Sequence, residues 1–163
     1  MTTLRWVRLW LVFFIVALAV SGLTAFPLEL ELRIASDVLH HSFVPDALPE
    51  FMVWIDRVRE GVIVTNAAYP FMAYGTDWLA FAHIVIAIAF IGPLHDPVRN
   101  IWIIQWGMIA CVLVIPVVLI AGAIRQIPLG WQLIDMSFGV FGIIPLLIVY
   151  RLIRKLERAA LVD

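Results

Sequence analysis

Cysteine, charge and catalytic motifs are all scarce in this chain. Its 163 residues include one cysteine, Cys111. A lone thiol makes neither an internal disulfide nor a CxxC pair, which argues against thiol–disulfide chemistry within one chain. Set in an apolar run, Cys111 reads as a small buried hydrophobe. Charged residues make up 14% of the chain, against about 25% in ordinary soluble domains. The formal charge of -1 gives no basic field for nucleic acid. There is no phosphate-cradling glycine loop, no HExxH helix and no serine elbow. Ser21, Thr24 and Ser137 are more simply explained by helix contacts. Internal repeats and low-complexity tracts are missing too, and the length leaves no room for a second domain.

What is abundant is apolar surface. Hydrophobic residues are 64% of the chain and the mean hydropathy is +1.03. A soluble fold of this size has too little interior to hide that much, so lipid is the simplest sink. A spanning helix needs about 20 mostly apolar residues, and four such runs are present. The first covers about 6–27, the second about 77–94, the third about 97–124 and the fourth about 129–150. Thr76 is placed to cap the second, Asp77 suits the positive end of its dipole, and Gly92-Pro93 should end it. Asp96-Pro97 is an N-cap followed by the residue best tolerated at the first helical position. Pro116 and Pro145, inside the last two runs, should each kink a helix. The fold class is therefore all-α: a polytopic four-helix transmembrane bundle. A basic start and Leu23-Thr24-Ala25 give the first run some likeness to a cleavable signal. Its length and the large residue at position 23 favour a retained span.

Seven of the eleven basic residues flank one side of these spans: Arg5, Arg8, Arg99, Arg151, Arg154, Lys155 and Arg158. Basic residues beside short loops stay in the cytoplasm, so both termini are expected inside. The seven tryptophans (Trp6, Trp10, Trp54, Trp78, Trp102, Trp106 and Trp131) gather toward span ends, as an aromatic belt does.

The insert of about residues 28–76 is too long for a turn and too apolar for a floppy linker. It should be an amphipathic helical insert on the outer face. Leu28, Leu32, Ala35 and Leu39 share one helical stripe, and Glu29, Arg33, Asp37 and His41 another. LELELRI also alternates like a strand, but a lone strand has no partner here. A second helix should follow Pro49, with Phe51 and Trp54 at the bilayer boundary.

Ionisable groups at membrane depth are costly and point to a site. His83 lies about 9 Å inside the second span and Asp135 about 7–8 Å inside the fourth, counted from the outer face at 1.5 Å per residue. Arg125 ends the third span on that face. Small residues on the same stripes, among them Gly107, Gly139 and Gly142, suggest that these faces turn inward. The expected polar layer is His83, Arg125 and Asp135, with Glu29, Glu31 and Asp77 at its rim. Two uses compete. In one, Arg125 and Asp135 form a buried ion pair that fixes helix register. In the other, the layer handles a proton, a metal or a small anion, since a carboxylate beside an imidazole suits proton exchange.

Haem does not fit: His83 and His95 share one helix and the other spans hold no histidine. Adjacent His40 and His41 point about 100° apart on a helix, which suits a surface better than a metal. No metal and no cofactor is expected, and the balance leans away from an enzyme. The partners implied are the lipid bilayer and either a second copy or another membrane protein.

The stretches SGLTAFPLELEL, YGTDWLAFAHIVIA, GPLHDPVRN and RQIPLGWQLIDMSFGVFGIIPL resemble a family of small bacterial four-span proteins. That resemblance implies a location in the bacterial inner membrane and brings no activity with it.

Overall fold

The computed structural model describes residues 2–160. Every regular element among them is helical. Helix α1 is Thr3–Ala25, α2 Leu28–His40, α3 Val44–Ala47 and α4 Pro49–Ala68. A 3-10 turn, Pro70–Ala73, leads into α5, Tyr74–Ala89. The chain continues through α6 (Ile91–His95), α7 (Ile101–Ile124) and α8 (Leu129–Ala160). LELELRI is thus helix, because no neighbouring strand exists to take its backbone hydrogen bonds.

Four stretches are long and apolar enough to cross a membrane: Thr3–Ala25, Pro70–His95, Ile101–Ile124 and Leu129–Ala159. At 1.5 Å per residue the 24 residues of α7 extend about 36 Å, more than the roughly 30 Å of bilayer hydrocarbon. Their outward side chains match that setting. On α7, Val117, Ile120 and Ile124 are 62%, 63% and 72% exposed, a surface that water would penalise and lipid accepts.

Helix ends differ from the sequence reading in instructive ways. Thr76 does not cap α5: its hydroxyl donates to the Ala73 carbonyl at 2.7 Å, and the helix already begins at Tyr74. Gly92-Pro93 does not end the second run but lies inside α6, after a one-residue break at Phe90. Asp96 is not the cap of α7. Its carboxylate instead accepts the Arg99 backbone N–H at 3.1 Å. Asn100 donates to the Gly92 and Asp96 carbonyls at 3.2 and 2.9 Å, so the side chain satisfies the turn and α7 starts only at Ile101. Helix α8 runs ten residues past Tyr150, because the basic tail keeps an apolar stripe in Leu152, Ile153 and Leu156.

Residues up to Ala19 together with those from Val85 onward form one compact unit. Its core is Val7, Leu11, Phe90, Ile103, Ile104, Leu146, Val149 and Ile153. In lipid no hydrophobic drive pulls helices together, so close packing must do it. Helices α7 and α8 meet through glycines. A Cβ at Gly139 would stand 2.5 Å from the Cys111 carbonyl oxygen, and one at Gly142 would stand 3.2 Å from the Cys111 sulfur. Gly107 leaves room for the Phe90 ring, 2.7 Å from where its Cβ would be. The turn between the two helices is a Schellman motif: Ile127 N–H donates to Gly122 and Gln126 N–H to Ala123. Gln126 takes the left-handed position at φ 57°. Gln132 reaches back to the Ile127 carbonyl at 2.7 Å and packs on Gly122.

Val20–Ile84 form the other unit. Here the end of α1 touches α5: a Cβ on Gly22 would lie 2.8 Å from the His83 Cβ. Helix α2 packs along α4, with Ser36, Met52 and Ile55 buried. Ala35, on one stripe with Leu28, Leu32 and Leu39 by its spacing, is exposed, and the buried residue of α2 is Ser36.

Candidate functional site

His83 lies in the unit of residues 20–84, half-buried. Its Nδ1–H donates to the Leu79 carbonyl at 2.8 Å. A carbonyl only accepts, so the proton of the neutral ring is on Nδ1 and Nε2 is left as an acceptor. Nε2 has no hydrogen-bond partner among the described residues. Arg125 and Asp135 lie in the other unit. Arg125 is exposed at the C-cap of α7, where a cation complements the helix dipole. Asp135 is half-buried in α8. Among the described residues no ion pair joins Arg125 to Asp135. The buried pair anticipated from their shared depth is therefore not formed. The arginine sits on the rim of the Schellman turn, while α8 carries the aspartate about 9 Å further along its axis from Leu129.

Polar chemistry in the unit of residues 20–84 concentrates where α2 meets α4. Asp56 is the hub. It accepts the Ser36 hydroxyl at 2.8 Å, and His40 Nε2 at 3.1 and 3.0 Å on its two oxygens. Arg59 stands 3.8 Å away. The Ser36 hydroxyl above all, then His40, hold the Asp56 carboxyl below its ordinary range. Serine, histidine and aspartate together invite comparison with a nucleophilic triad, but the order is wrong. A triad histidine stands between serine and carboxylate to take the hydroxyl proton. Here the carboxylate stands between the other two, and Ser36 is fully buried. The cluster fastens two helices and has no nucleophile to offer.

A second polar group lies farther along the same pair. Glu29 Oε1 accepts Arg33 Nε and Nη2 at 3.2 and 2.8 Å, and Oε2 accepts the Asn66 amide at 3.0 Å. The Asn66 bond first, then Arg33, lower the Glu29 pKa, so this rim residue is ionised at neutral pH. These residues edge a cleft of about 840 Å³ whose other walls come from Phe26, Leu28, Val58, Val62 and Met72. Gly61 is part of the wall, and a Cβ there would meet nothing within 4 Å. Of the other rim residues named from sequence, Glu31 is exposed and Asp77 half-buried near the start of α5.

The Asp56 hub was hidden in the sequence because its partners are 16 and 20 residues away. One signal was available. Ser36 and His40 are four apart on α2, and Met52, Asp56 and Arg59 follow helical spacing on α4. His41, grouped with Asp37, meets only that residue's backbone carbonyl, at 2.7 Å. No known family model, no curated protein and no solved structure matches the chain. No residue role is therefore carried over from a relative.

Proposed function

We propose that this chain is an interaction or accessory protein of the bacterial inner membrane. It would be a four-helix transmembrane bundle with both termini in the cytoplasm. Residues 28–76 form an amphipathic platform on the outer face. The observation that carries the reading is the construction of that platform. Two polar clusters inside it, around Asp56 and Glu29, spend their hydrogen bonds fastening α2 to α4. Meanwhile Leu30, Ile34 and Val38, each four residues from the next, turn outward on α2 at 57%, 56% and 63% exposure. A platform whose helices are fastened by internal polar clusters and that shows an apolar stripe is built to contact lipid or a membrane partner. The basic residues at Arg5, Arg8, Arg99 and Arg151–Arg158 support the orientation. Reporter fusions after Tyr69 and Ile127 are expected to read as outside, and fusions after Asp96 and Asp163 as cytoplasmic. A cytoplasmic reading after Tyr69 would overturn the topology.

The unpartnered Nε2 of His83 favours a second reading, in which this imidazole handles a proton or small ligand. His83→Ala should then leave thermal stability nearly unchanged while removing a histidine signal that responds to pH between about 5 and 8. A large loss of stability in His83→Ala removes this reading and makes the residue structural.

A further inference from the structure

We infer that the cleft beside Glu29 and Arg33 holds the headgroup of a zwitterionic, ammonium-bearing phospholipid of the phosphatidylethanolamine class. The inference rests on the reading that residues 28–76 lie at the bilayer surface, and it adds an occupant. Placement is the first argument. Phe26 and Pro27 follow α1 directly, and Met72, Ala73 and Thr76 open the second membrane-crossing stretch. The cleft therefore begins where two apolar stretches end, at the level of lipid headgroups.

Charge complementarity is the second argument. Arg33 commits Nε and Nη2 to Glu29, which leaves Nη1 to donate to a phosphate. Its side chain is 55% exposed and free to do so. The Glu29 carboxylate accepts three hydrogen bonds, and a carboxylate has about four lone-pair sites. One site remains for an ammonium N–H, and the Asn66 carbonyl oxygen beside it is a further acceptor. A cation next to an anion on one rim matches phosphate next to ammonium. A purely anionic headgroup would meet the Glu29 charge, and a choline headgroup has no N–H to donate. The third argument is Gly61. Glycine in mid-helix is less favourable than alanine, and no neighbour here requires the missing Cβ. Its effect is to keep this wall open.

The test is native mass spectrometry of the full chain in detergent, with equal amounts of dioleoyl phosphatidylethanolamine, phosphatidylcholine and phosphatidylglycerol. The wild type should retain the ethanolamine lipid about tenfold over either other, the size of one retained charge-assisted hydrogen bond. Gly61→Phe, which projects a ring from the wall into the cleft, should bring the three lipids to parity, and Gly61→Ala should keep the preference. The pair Glu29→Gln with Arg33→Gln should also abolish it, which covers the case of a poorly folding Gly61→Phe. Parity in the wild type, or a preference that survives both sets of variants, overturns the proposal. The fusion after Tyr69 reads the surface location separately, so failure of the lipid site and failure of the platform are distinguishable.

Discussion

Gly139→Ala should destabilise the protein although alanine is the better helix former. Its Cβ would arrive 2.5 Å from the backbone oxygen of Cys111 and 3.4 Å from the Val114 Cβ. An ordinary contact needs almost 1 Å more, and a backbone oxygen inside a helix cannot rotate away as a side-chain tip can. Helices α7 and α8 must separate, and they lose dispersion contacts along the seam that holds them in lipid. Overpacking of this kind costs about 1–3 kcal/mol, which outweighs the roughly 1 kcal/mol of helix propensity gained. Gly139→Leu should cost more. Gly130→Ala is the control: it lies on the same helix in open space and should be neutral or slightly stabilising. Thermal unfolding in a mild detergent, following helix content, reads all three. Stabilisation by Gly139→Ala to the same degree as Gly130→Ala would show that the seam is not there.

That seam was legible before the structure, and the reason is physical. Small residues at helical spacing have few other uses in apolar helices. Gly107, Gly139 and Gly142 each prove to meet a neighbour closely. The four membrane-length helices were legible for a similar reason: an apolar run of that length has one economical environment. Helix ends were harder. Asp96, Thr76 and Pro93 are all residues that favour boundaries, but each is used in a local turn or inside a short helix. Which backbone group a side chain satisfies depends on neighbours such as Asn100, eight residues from the Gly92 carbonyl to which its amide donates.

The polar site was the least legible part. Depth along a span gave His83, Arg125 and Asp135 a common level, but depth does not fix direction. Arg125 is exposed at its helix end and unpaired with Asp135. Asp56 falls in the helix expected after Pro49, one acid among several in the insert. It became the hub because α2 folds back along α4, a contact that one-helix periodicity does not contain.

Removing that hub should therefore loosen α2 selectively. Asp56→Ala leaves the fully buried Ser36 hydroxyl without its acceptor and frees His40 at the end of α2. An unsatisfied buried hydroxyl costs about 1–3 kcal/mol. The His40 and Arg59 contacts add less, because they are partly exposed and screened. Amide exchange across residues 28–40 should speed up by about fivefold to a hundredfold, with α7 and α8 unaffected. Asp56→Asn should loosen α2 less, since an amide oxygen still accepts the Ser36 hydroxyl. Acid should reproduce part of the effect. The Asp56 pKa is lowered in the folded chain by the Ser36 bond first and His40 next. The unfolded state therefore binds its proton more readily, and the contribution is fully present above the unfolded value of about 3.9. It is lost as pH falls below that value through the folded pKa. Wild-type α2 should thus gain exchange mobility below about pH 4, relative to α7, and in Asp56→Ala the acid response should shrink to the part carried by Glu29, whose pKa is lowered as well. Equal acid sensitivity in wild type and variant would mean that another group holds α2 in place.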